Sequence, residues 1–83
     1  MILYVLYNKT GDKYYIGVTD NLKRRLAEHN GKTNHYTGKF DSSWIIKFSK
    51  EYVSSADAYE EEKRLKKAKN RKYLEWYISN KGL

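Results

Sequence analysis

The first apolar run, Ile2 to Tyr7, is unbroken and is followed by the turn-rich segment Asn8-Lys9-Thr10-Gly11-Asp12-Lys13, which holds the glycine such a turn requires. A second β-rich run, Tyr14 to Val18, comes next, so the two predict an antiparallel hairpin with a loop longer than two residues. From about Asn21 to Asn30 the period changes to that of a helix, with Thr19 or Asp20 as its N-cap and Gly31 available for a left-handed residue after its end. Gly31 to Ser43 is polar. Trp44 to Phe48, WIIKF, resumes strand character and would lie beside the hairpin. Ser54-Ser55-Ala56-Asp57 reads as a capping box, with Val53 placed to staple onto Ala58. The helix that follows carries Ala58, Glu62, Leu65 and Lys69 on one stripe, with Tyr59 and Lys66 alongside. Beyond Asn70, the positions Tyr73, Leu74, Trp76, Tyr77 and Ile78 predict a last helix that closes the core. The expected fold is α+β: a small, mainly antiparallel sheet of three strands flanked by about three helices.

Two of these helices break their own pattern. Leu22, Arg25, Leu26 and His29 share one face of the first, and half of that face is charged or titratable. Glu62 falls in the middle of the packing seam of the second. Unpaired charges are costly to bury, so these groups either pair with one another or gather at a cleft that a ligand completes. An Arg25 to Glu62 salt bridge that only orients two helices accounts for the pattern equally well. Arg24 points outward, four residues before Glu28, as an i,i+4 partner. Tyr4 and Tyr15, on paired strands, are readable as core residues by position alone.

Composition narrows the chemistry. Eighty-three residues make one domain, here 1–83, with one modest core. The chain has no cysteine, which excludes disulfides, thiolate metal sites and thiol nucleophiles. No apolar run approaches the roughly 20 residues of a bilayer span and no signal-peptide pattern is present, so a soluble, cytoplasmic protein is expected. Seventeen Lys and Arg against ten Asp and Glu give a net charge of +7. Lys63 to Lys72 contains no acid. A field of that sign favours a polyanion, with nucleic acid the natural partner, and a solvated helix surface is the plain alternative. Nine tyrosines and two tryptophans supply faces that could stack on unpaired bases, although a core this small must use most of them.

The motifs resemble the GIY-YIG endonuclease superfamily. Tyr15-Ile16-Gly17 stands intact as its second name-giving motif, whereas Ile2-Leu3-Tyr4 keeps only the tyrosine of the first. The family's catalytic Arg falls on Arg25, and its His or Tyr one turn later falls on His29. The segment DAYEEEKRLKK resembles the Glu-bearing helix, with the carboxylate at Glu62 and a following Lys at Lys66. The resemblance runs from Ile2 to about Lys72 and is nearest to compact single-domain members and to the nuclease half of the excision-repair incision protein. A late Asn carried by some relatives has Asn70 as its candidate.

What the resemblance implies is a metal-dependent DNA endonuclease of low sequence specificity, of a kind used in repair or recombination. Glu62 would hold one Mg2+ or Mn2+, a hard ion on a hard oxygen. Arg25 would make a forked contact to the scissile phosphate. Tyr15, supported by Tyr4, would orient or deprotonate the attacking water, or His29 would take or relay that proton. Gly17 would let a DNA backbone approach the strand end, and Lys32, His35, Lys39, Lys66, Lys69 and Arg71 would contact nucleic acid. A monomer is the default, with a partner protein as a further source of specificity. Two other readings fit the sequence: an inactive nucleic-acid binding module on the same scaffold, and a basic RNA-associated structural protein.

Overall fold

The computed structural model describes residues 1–31, 44–68 and 70–81. Of the expected nucleic-acid contacts, Lys32, His35, Lys39 and Lys69 lie outside these residues, as does the interior of the polar segment that follows Gly31.

Strand β1 (Ile2–Asn8) is central, with β2 (Lys13–Thr19) and β3 (Trp44–Glu51) antiparallel on either side, in the order β2-β1-β3. Its unbroken apolar run follows from that position. Leu3, Tyr4, Val5 and Leu6 are all buried because both faces of the sheet are covered. Helix α1 (Leu22–Asn30) covers one face, where Leu22, Leu26 and Tyr15 pack on Tyr4, Leu6 and Trp44. Helices α2 (Ser55–Ala68) and α3 (Arg71–Lys81) cover the other, where Leu65, Leu74 and Tyr77 meet Leu3, Val5 and Phe48. The third strand runs three residues beyond the expected Phe48. Its ladder shifts where Val5 faces Phe48 and Leu6 faces Ile46, which leaves Lys47 as the extra residue of a bulge.

Several local expectations are corrected. The α1 cap is Asn21, whose side chain accepts from the Arg24 N–H at 3.0 Å. Thr19 Oγ1 instead accepts from the Asn21 N–H, and Asp20 holds the Arg24 guanidinium at 3.0 Å. Gly31 ends the helix at φ −80°, outside the left-handed region. In the hairpin loop the left-handed residue is Asp12, at φ 53°, rather than Gly11. Asp tolerates that conformation, and here its carboxylate is held by the Tyr7 hydroxyl and the Arg71 guanidinium. Ser54 does cap α2, through Ala56 N–H, but Val53 is fully exposed and staples nothing. Asn70 caps α3: its side chain accepts from the Tyr73 N–H, and its carbonyl from the Leu74 N–H.

Candidate active site

Strand register determines which side chains meet. Tyr4 faces Gly17 and Leu6 faces Tyr15, so Tyr4 and Tyr15 sit diagonally on the α1 side of the sheet. There His29 rises from the last turn of α1, and the three rings cluster. The Tyr15 and His29 centroids are 4.7 Å apart, those of Tyr4 and His29 5.9 Å, and those of Tyr4 and Tyr15 6.3 Å. The Tyr4 hydroxyl is 3.0 Å from His29 Nε2 in a buried hydrogen bond. His29 is held in register by its neighbour Asn30, whose amide makes both backbone bonds to Trp44 at 2.9 and 3.2 Å, as a strand partner would. Nothing in the sequence marks that role, because an Asn at a helix end reads first as a terminator.

The intact motif has an internal reason for its glycine. A Cβ at Gly17 would lie 2.4 Å from the Tyr4 hydroxyl oxygen and 2.6 Å from its Cζ. The Tyr4 phenol occupies the space that a side chain would need, and Gly17 itself is buried.

Around the rings stand the charged groups. Arg25 is half-buried and pairs with Glu28 at 3.1 Å, and Glu62, mostly covered, pairs with Lys66 at 3.2 Å. Each helix therefore balances its own inward charge, and the Arg25 to Glu62 clamp is not the arrangement. The Nε of Arg25 is buried with no hydrogen-bond partner among the described residues. Glu62 comes from the opposite face of the sheet, where α2 packs on β2 and β1, and its charge reaches Tyr4. Lys66 Nζ stands 6.0 Å from the Tyr15 ring centre.

Burial pushes the Tyr4 phenol up to about 12; the Arg25 guanidinium beside it pulls down, while Tyr15 and Glu62 push up. His29 is held below its ordinary value, first by burial and then by Arg25, and is neutral near pH 7. With Tyr4 and His29 both out of contact with water, Tyr15, which lines a shallow depression with Tyr14, Ile16 and Lys66, is the ring that meets solvent.

The basic run is less free than its composition suggests. Arg64 is held by Glu61 and Tyr73. Arg71 bridges Asp12 at 2.6 Å and Glu75 at 3.3 Å. Its fork is occupied, and it ties the hairpin loop to α3.

A small α+β domain whose sheet face gathers two phenols, an imidazole and an arginine, with a carboxylate reaching in across an edge strand, has the make-up of a nuclease domain. The family model of the GIY-YIG catalytic domain matches residues 1–77, and the chain belongs to that family. Members are generally endonucleases. No curated protein and no solved structure matches the chain. Among the described residues no helix is long and apolar enough to cross a membrane, and no group of three or more His, Cys, Asp and Glu converges on a metal position.

Proposed function

We propose that this protein is a divalent-metal-dependent endonuclease that hydrolyses DNA phosphodiesters with low sequence specificity. The observation that carries the reading is the convergence of Tyr4, Tyr15, Arg25 and His29 on one sheet face, within the electrostatic reach of Glu62.

One carboxylate is a poor cage but a suitable anchor for Mg2+, which keeps most of its waters and takes its remaining ligands from substrate phosphate. Glu62 fits that donor role, with Lys66 balancing its charge otherwise. The ion, when bound, supplies charge neutralisation at the phosphoryl oxygens. Arg25 binds the same phosphate: its guanidinium is already oriented by the Tyr4 hydroxyl and by Glu28, and its buried Nε has no hydrogen-bond partner among the described residues. Tyr15 meets the attacking water and orients it by hydrogen bonding. Tyr4 and His29 form the support beneath it. Neutral His29 pairs with the Tyr4 hydroxyl, which fixes both rings and leaves an imidazole poised to accept a proton through Tyr4 rather than from water directly. Lys66, half exposed and 6.0 Å from the Tyr15 ring centre, guides the strand, and Lys32, His35, Lys39 and Lys69 are further residues assigned to that role from the sequence.

The test is cleavage of a labelled single strand and of its duplex with Mg2+, Mn2+ or EDTA, for the native protein, Glu62→Ala and Arg25→Ala. Metal-dependent cutting, lost in both variants while circular dichroism stays native, supports the reading. A native protein that binds DNA and cuts under no metal refutes it in favour of a binding module, consistent with a first motif of which only Tyr4 is kept.

A further inference from the structure

A second depression, of about 300 Å³, opens where β2 ends and α1 begins, and it shares Arg25 with the candidate site. Val18 and Thr19 line one side and Arg24 another, and Tyr59 reaches in from α2 with half of its surface exposed. Its volume is at the small end of the roughly 300–1,000 Å³ typical of ligand sites, which suits one planar group rather than a duplex. Tyr59 precedes Glu62 by three residues on the same helix, and Arg24 adjoins Arg25. Two of its lining residues, Arg24 and Tyr59, are therefore neighbours, one residue or one turn away, of the two groups assigned to the scissile phosphate.

Tyr59 sits beside the packing stripe of α2, yet no core receives it. An exposed aromatic at the mouth of a phosphate site offers a stacking face, and every base has a face to match. Inside a duplex those faces are covered by neighbouring pairs, so only an unpaired or extruded base can use it.

Resting on the nuclease reading for the identity of the scissile phosphate, we infer that this depression is a subsite for one unpaired nucleobase flanking the scissile phosphate, with Tyr59 as its stacking platform. The substrate class that follows is single-stranded DNA, or DNA unpaired beside the cut.

The experiment is fluorescence anisotropy in EDTA with three labelled probes: a short single strand, its duplex, and an abasic strand of equal length, each against the native protein, Tyr59→Ala and Tyr59→Phe. The expected result is that Tyr59→Ala weakens single-strand binding about 5- to 100-fold, while Tyr59→Phe stays within about twofold of native. Duplex and abasic strand should bind native and Tyr59→Ala alike. The inference is overturned if Tyr59→Ala binds the single strand as well as the native protein does, if it weakens all three probes equally, or if the native protein does not bind the single strand. Because the assay contains no metal and reads no cleavage, a failure of the nuclease reading leaves its outcome intact, and cutting without a Tyr59 effect sinks the subsite alone.

Discussion

Replacing Gly17 by Ala tests whether the glycine of the intact motif serves the inside of the protein or the approach of DNA. The added Cβ meets the Tyr4 hydroxyl at 2.4 Å, Cζ at 2.6 Å and Cε1 at 2.9 Å, all closer than a methyl group tolerates. Tyr4 is 1% exposed and wedged among Leu6, Trp44 and Leu26, so its ring has no solvent to move into. Overpacking of this kind costs about 1–3 kcal/mol, and displacing the phenol from His29 forfeits a buried hydrogen bond worth about 0.5–1.5 kcal/mol. Against this, Gly17 is not at positive φ, so Ala recovers about 0.4–1 kcal/mol through the unfolded chain. A net loss of about 2 kcal/mol is expected. For a domain of this length, with a total stability of about 4–12 kcal/mol, that loss lowers Tm by roughly 8–16 °C. Circular dichroism on heating measures it, and Tyr4→Leu combined with Gly17→Ala should recover part of the loss. A Tm within about 2 °C of native, with DNA binding weakened, would refute the reasoning and return Gly17 to a backbone-approach role.

Three further outcomes are expected. His29 is neutral when folded, because burial and Arg25 depress its affinity for protons, whereas the unfolded chain takes up a proton near pH 6.5. Its contribution is therefore complete above about pH 6.5 and lost as pH falls below it; urea midpoints between pH 5 and 8 should show that slope, and His29→Gln should flatten it. Glu62→Gln should change stability by less than about 1 kcal/mol, since Gln keeps the shape of the covered side chain and its Lys66 partner is half exposed, while cleavage falls at least about 100-fold in a protein that stays folded at the assay temperature. Lys66→Ala should reduce the slope of log affinity against log salt by at most about 1, since Glu62 answers part of its charge, whereas Arg71→Ala, removing a charge held by both Asp12 and Glu75, should leave that slope unchanged in the same titration.

Period and composition carried the architecture. The unbroken run Ile2 to Tyr7 was legible as a strand, though not as the central one, and the charges of Arg25, His29 and Glu62 on apolar stripes marked the candidate site before any fold was known. The details that escaped were competitions between equals. Thr19, Asp20 and Asn21 are all good caps, and the choice fell to Asn21 because Thr19 engages the Asn21 backbone and Asp20 engages Arg24. Gly11 lost the left-handed position to Asp12, whose carboxylate gains Tyr7 and Arg71 there, 59 residues apart in the case of Arg71. Partners at such separation leave no local trace. The same holds for Gly17, whose need for an absent side chain arises from a tyrosine on another strand, and for Tyr59, whose exposure depends on how two helices flank a strand end.

The two faces of the sheet have unequal holdings. Leu65, Leu74 and Tyr77 anchor α2 and α3 to one, while α1 grips the other chiefly by Leu22, Leu26 and the buried His29. Arg25 and Glu62 thus belong to separately fastened helices, one on each face of the sheet. A nine-residue helix can lift from its face while the other face stays closed, and such an excursion parts Arg25 and His29 from Tyr4 without melting the domain. Heat should therefore open the candidate site reversibly some degrees before it unfolds the domain.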